Sequence, residues 1–337
     1  MKKILIATTA LVATAGFAAA EVKISGAARF GLMYNSDPTT VNDSNFRNTG
    51  NTSKTRLEKR LDVTIDGSTT ADNGVTFGAR LRIRSEDLST SNAVGLAGRA
   101  SAAGARLYAR SGGLEVAVGN IEGAIEVMPG VYAGSVGLTG LSWGGLVAHT
   151  DRGGAFNANQ FDWDAYSSGG AGNEGIEVKY AMGDFKGHLS YSSADLNGVI
   201  TATKRVAAWG SYTFSGWDVT LGLQDSDLDS EDKVILTAGG KIGDFGIGLG
   251  VAQLGKGAKG LGGKITKYVL NGSYTMGATT VSAYVSNQNV LPVATGSKTQ
   301  YGLGVAYAMG GGARIVGGVE RTTRKTTRAD LGVAFSF

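Results

Sequence analysis

The sequence predicts an all-β fold, a closed sixteen-stranded antiparallel transmembrane β-barrel. Three observations predict it. Period-2 alternation runs through almost the whole chain, while 3.6-residue helical periodicity is hard to find. A short pattern recurs: an aromatic, a Gly-rich turn, then an alternating strand. Glycine is abundant, 54 of 337 residues, and the 3 prolines (Pro38, Pro129, Pro292) fall in segments that read as loops, so no strand loses an N–H.

The first element is a leader. Lys2 and Lys3 precede the uncharged "ILIATTALVATAGF", and Ala18 to Ala20 supply the small residues that signal peptidase needs, so residues 1–20 read as a signal peptide with Glu21 as the mature start. Without those two lysines, 30 basic residues face 28 acidic ones, a balance that gives no reason to expect nucleic acid as a partner. There is no cysteine, so export raises no pairing problem. No mature segment is apolar for about 18 residues, which excludes a transmembrane helix and leaves a barrel open.

Alternation then places strands at about 22–35, 54–66, 75–87, 104–111, 114–120, 174–182, 185–194, 204–214, 217–226, 233–243, 245–254, 266–276, 279–288, 299–309, 313–323 and 326–337. Tyr180, Tyr212, Gly240, Tyr274 and Tyr307 mark equivalent points, 32, 28, 34 and 33 residues apart. Each unit is a hairpin with one tight turn and one longer connection, the grammar of an up-and-down array. No linker divides residues 21–337, which read as one domain. From Tyr108 to Tyr180 the step is 72 residues, so one connection, about 120–173, carries a large insertion. Closure removes exposed edges. Sixteen strands make a barrel too wide for side chains to fill.

Two features set the apolar face outward. Tyr180, Tyr212, Trp217, Phe245, Tyr274, Tyr307 and Phe335 cluster near the short turns, as an interfacial girdle requires. The repeated pattern is thus a turn with its belt aromatic. The other face of 75–84 carries Arg80, Arg82 and Arg84, which can line water but not a dry core.

The mature start "EVKISGAARFGLMYN", the Tyr-x-Met-Gly turns and the closing "LGVAFSF" resemble the general porins of alphaproteobacteria, the Rhodobacter-type family of sixteen-stranded trimeric outer-membrane channels. The resemblance spans essentially the whole mature chain and is weakest in the loops. It implies a third loop folded into the pore, a homotrimer, and a terminal Phe337 read by the barrel-assembly machinery. It also implies a bacterial outer-membrane location, among lipids that include lipopolysaccharide. Gly26 and Ala28, small and outward on the first strand, lend the trimer modest support.

On that footing the insertion is a constriction loop bearing Glu122, Glu126, Asp151, Asp162 and Asp164, with "GVYAGSVGLTGLSWGG" small and apolar enough to lie against a wall. Opposite it, alternation turns Arg29, Arg56, Arg60, Arg80, Arg82, Arg84, Arg106 and Arg110 inward. Arginine stays ionised among like charges. A field between such walls sorts solutes by charge and dipole.

The function expected is a passive, water-filled channel for ions and small hydrophilic solutes. The alternative is a substrate-specific channel for sugar, phosphate or dicarboxylate, which favours an aromatic ladder on lumen positions that the alternation does not give. Trp209 breaks the pattern by pointing inward if Val206, Ala208 and Tyr212 point out, either a pore residue or a register slip. An enzyme is not expected: His149 and His188 stand apart, with no triad order and no zinc cluster. No cofactor is expected beyond weak calcium binding in acidic loops such as 225–232. A soluble β-sandwich fails on the inward arginines.

Overall fold

The computed structural model describes residues 20–37, 53–86, 99–149, 163, 174–193, 203–255, 264–291 and 295–337. The leader, Ala20 excepted, and the loop carboxylates Asp151, Asp162 and Asp164 lie outside these residues.

The chain forms one antiparallel sheet of β1 (Glu21–Asn35), β2 (Thr55–Thr70), β3 (Thr76–Glu86), β4 (Arg99–Ala102), β5 (Arg106–Ser111), β6 (Leu114–Gly119), β7 (Gly175–Met182), β8 (Phe185–Ser192), β9 (Arg205–Phe214), β10 (Trp217–Ser226), β11 (Lys233–Ile242), β12 (Phe245–Leu254), β13 (Ile265–Met276), β14 (Thr279–Gln288), β15 (Thr299–Gly310), β16 (Ala313–Arg321) and β17 (Thr327–Ser336). Apart from β4 and β5, each pairs with its neighbours in sequence, and β1 pairs with β17 from Ala27↔Ser336 to Asn35↔Arg328, which closes the sheet into a barrel.

The seventeen segments make sixteen barrel strands, because β4 and β5 both pair with β3 and are two halves of one strand. Three residues, Ala103 to Ala105, stand opposite two, Leu81 and Arg82, which is a one-residue bulge. The bulge reverses the facing: Ala102 points out, and Arg106, four residues on, points in. It lies where the long loop leaves the wall, since the Asn120 N–H donates to the Ala105 carbonyl at 2.9 Å.

The short turns, the start of β1 and the end of β17 lie at one rim. At Ser215–Gly216 both central residues have positive φ (48° and 79°), the geometry of a two-residue hairpin turn whose twist matches its strands. Alternation then does what the sequence predicts. Phe77, Leu107, Leu189, Leu221, Leu249, Leu303 and Leu331 all point outward and exposed, while Glu58, Arg106, Glu177, Lys267, Glu320 and Asp330 are buried inside. A water-soluble fold buries the opposite set. Of the aromatics named for the girdle, Tyr180, Tyr212, Phe245, Tyr274 and Tyr307 are exposed on the outer face, Trp217 and Phe335 are half-buried beside them, and Phe245 stacks on Tyr274 with centroids 4.5 Å apart. Tyr108 departs from the repeat. It stands four residues before its two-residue turn, where Tyr180, Tyr212 and Tyr274 stand three before theirs, so it faces the lumen and donates to Asp66 at 2.7 Å.

Candidate functional site: an eyelet between loop and wall

Residues 120–149, between β6 and β7, fold into the barrel and run along its inner surface. Ile125, Met128, Val131, Leu146 and Val147 pack with Ile235, Ala252, Ile265 and Val269 of β11–β13, so part of the lumen is filled by an ordinary apolar core. Polar anchors fix the path. Thr237 donates to the Pro129 carbonyl at 2.7 Å, and the Lys267 ammonium to the carbonyls of Leu146 (2.8 Å) and His149 (2.6 Å). Ser286 donates to the Gly144 carbonyl at 2.9 Å. Glu320 accepts from the Ser142 N–H at 2.8 Å and from Tyr284 at 2.9 Å. Asp330 accepts the N–H groups of Leu138 (2.9 Å) and Thr139 (2.8 Å) and the Thr139 hydroxyl (2.8 Å). The small, apolar run from Gly130 to Gly145 therefore lies on the β11–β17 wall, as its composition leads one to expect.

The loop root is tied down separately. Glu177 on β7 accepts from the Glu122 N–H at 3.1 Å, and Ser190 on β8 from the Ala124 N–H at 2.8 Å. The loop thus covers the wall from β7 round to β17 and touches β1, where Arg29 donates to the Leu138 carbonyl at 3.5 Å, and leaves much of β2 and β3 facing the lumen. The arginine-bearing strands are β1, β2, β3 and β5. Arg29, Arg56, Arg60, Arg80, Arg82, Arg84, Arg106 and Arg110 all sit on their inner face, Arg110 exposed near the turn rim.

The arginines do not face the loop as a bare row. Carboxylates of the wall itself, which the sequence reading did not name, interleave with them. Arg29 pairs with Glu58 at 2.8 Å, Arg60 and Arg84 share Asp62 at 2.7 and 2.5 Å, and Arg106 reaches both Glu115 and Glu177 at 2.5 Å. The same alternation that turns Arg56 and Arg60 inward turns Glu58, Asp62 and Asp66 inward. The signal was present on the strand already singled out.

Of the two described loop carboxylates named from the sequence, Glu122 reaches the arginine wall. Glu122 bonds Arg80 at 2.5 Å and also Lys179 of β7, a second inward cation that the sequence reading passed over. Burial alone would favour the neutral acid, but Lys179 and Arg80 outweigh it and hold the Glu122 carboxyl down at about 2. Between this pair and the wall lies a recess of about 270 Å³, lined by Thr64, Arg80, Arg82, Arg106, Asn120 and Glu122 among others. Glu126 turns elsewhere: it accepts from Tyr132 at 2.7 Å and from the Trp163 indole at 2.8 Å, and so braces the loop against itself.

Trp209 points inward, edge-on to His188 with centroids 5.9 Å apart, so the register of β9 is intact there. His188 is buried and bonds Glu177 at 2.9 Å, a lining residue committed to the loop root. In 225–232, Glu231 pairs with Arg205 at 2.7 Å, and Asp227 and Asp232 accept backbone N–H groups. Among the described residues, no three His, Cys, Asp or Glu side chains gather as a metal site.

The family model described as Gram-negative porin matches residues 7–327. The chain belongs to this porin family. It is 30% identical to the porin of Fuscovulum blasticum over 321 residues and 30% identical to that of Rhodobacter capsulatus over 346, in each case across 94% of this chain and 100% of the relative. A solved mutant of Rh. blastica porin superposes with a TM-score of 0.74 at 26% identity, over 94% of this chain and all of that one. The porin is therefore a multi-pass β-barrel of the bacterial outer membrane, and a channel. These relatives support the general porin over the substrate-specific alternative.

Proposed function

We propose that this porin is a passive diffusion pore for ions and small hydrophilic solutes, with its selectivity set in the eyelet by Arg80, Arg82, Arg106, Glu122 and Lys179. The observation that carries this reading is the division of the lumen: the loop fills one side, and charged side chains border the water that remains. Cations and carboxylates alternate around that opening, so a passing solute meets a field across the pore, which orders water and favours solutes able to align with it. No chemical step is involved and no cofactor is needed; calcium at the acidic loops would bind loosely.

The remaining expectations belong to the same proposal. The leader 1–20 is removed on export, and the barrel assembles as a homotrimer among outer-membrane lipids, lipopolysaccharide included. The terminal Phe337, exposed and beside Gly26 of β1, is free to serve as the assembly signal. Planar-bilayer recording of the detergent-purified protein under a salt gradient tests the reading. Large ohmic steps in groups of three are expected. Small currents blocked by one solute would overturn it in favour of a specific channel, and single rather than grouped steps would overturn the trimer.

A further inference from the structure

The outer wall of the barrel is not evenly filled. A recess of about 620 Å³ lies on the lipid-facing side of β8–β10, lined by Phe185, Gly210, Tyr212 and Leu221. A second, of about 390 Å³, lies on β9–β12 toward the long loops, lined by Val206, Asp225, Gln253 and Lys264. Both include Ala208 and Leu223, so they form one trough down β9. From Val206 to Tyr212 it runs about 20 Å at 3.3 Å per residue.

Nothing in the backbone requires this trough. Gly187 and Gly210 face each other across β8 and β9, and a Cβ on Gly210 would meet only the Phe185 ring, 3.7 Å away at ordinary contact distance. Other glycines make room for something present: Gly78 for the Tyr108 ring, Gly222 for Met128, Gly250 for Val147. The Gly187–Gly210 pair makes room for the Phe185 ring, 3.6 and 3.7 Å from where their Cβ atoms would stand, and that ring borders the larger recess on the outer wall.

We propose that the trough seats one acyl chain of an outer-leaflet lipid, with its headgroup at the polar mouth formed by Lys264, Gln253 and Asp225. The occupant follows from what adjoins the wall. The trough is continuous with the lipid-facing band, its floor is apolar, and its polar end lies on the long-loop side, which faces outward in this architecture. An unfilled gap there would forfeit dispersion contacts that a flexible chain supplies.

The proposal rests on the barrel standing in a bilayer, and channel conductance reports that condition separately. The test is native mass spectrometry of the detergent-purified porin with dimyristoylphosphatidylglycerol, comparing wild type with Ala208→Phe, Gly210→Leu and, as a control elsewhere on the lipid face, Ala283→Phe. Wild type and A283F are expected to keep one lipid per chain under activation that strips the rest. A208F and G210L, with unchanged conductance, should keep at least tenfold less. Equal retention in all four overturns the proposal. So does a loss of oligomer mass in A208F and G210L, which would make the trough a seat for a second copy.

Discussion

The two halves of the lumen use the same kinds of side chain for different ends. On the β11–β17 wall, Lys267, Glu320 and Asp330 are buried under the loop and bond to its backbone. On the β1–β5 wall, Arg29, Arg60 and Arg80 remain partly exposed and pair with carboxylates at or near the water. A charge bonded to backbone N–H or C=O groups in a dry site fixes a conformation. A charge paired with another charge beside water shapes a field, and its contribution to stability is small. The same residue types thus hold the loop on one wall and face the solute on the other.

The sharpest way to break that division is at Arg106, which sits on the open wall but is buried like the latches opposite, 4% exposed between Glu115 and Glu177. Arg106→Ala leaves Glu177 buried without its guanidinium, and breaking such a pair costs about 3–5 kcal/mol. Thermal unfolding of the detergent-solubilised barrel should show the loss, with the loop root more open to protease. If R106A is as stable as wild type and only its selectivity changes, the division fails at that residue.

Asp330→Ala should come next. It orphans the N–H groups of Leu138 and Thr139, each bond to a charged acceptor being worth about 1.5–3 kcal/mol. The expected result is a loop that leaves its wall, read as frequent closures in single-channel records and as cleavage within residues 135–149. Lys267→Met, which frees the Leu146 and His149 carbonyls, should behave alike. Quiet channels in both variants would mean that the apolar packing alone holds the loop.

What the sequence made legible follows from how local each signal is. Strand existence and facing are written residue by residue in the alternation, so β10, β12 and β14 begin and end where expected. The bulge at Ala103–Ala105 answers to a distant event, the departure of the loop at Asn120, and only the run "ASAAGAR" of small residues hinted at it. In the eyelet, the arginines were readable because charge on an alternating strand must face water. Their partners depend on which strands adjoin: Glu177 meets Arg106 because β7 pairs with β6 and β6 with β5, a relation no single strand states. The path of the loop depends on Asp330 and Glu320, nearly 200 positions away in the chain, and nothing local to residues 138–142 announces them.

A smaller effect is expected where the field itself is altered. Glu122→Gln removes the loop carboxylate between Arg80 and Lys179 but keeps its shape. One unit charge at about 5 Å in water is worth roughly 0.8 kcal/mol, a few-fold change in ion preference. The reversal potential should move toward anions with conductance steps nearly unchanged. No movement would show that the eyelet field is made without Glu122.

The smallest effect, and the most specific, is the pH at which wild type comes to resemble E122Q. Lys179 and Arg80 hold the Glu122 carboxyl at about 2, below the ordinary 4.5, so it stays ionised through the range in which an unpaired glutamate gains its proton. The sign follows. A depressed value in the fold means that the stabilisation from this group is fully present above about 4.5 and is lost as the pH falls through about 2. Other carboxylates titrate on the way down, so the measurement is the difference in reversal potential between wild type and E122Q, taken from pH 7 to 2. That difference should stay constant to about pH 3 and close only near 2, with wild type moving toward anions as it closes. Closure centred near pH 4.5 would mean that Glu122 stands in water without its two cations, and the pairing of the loop root with Arg80 and Lys179 would be overturned.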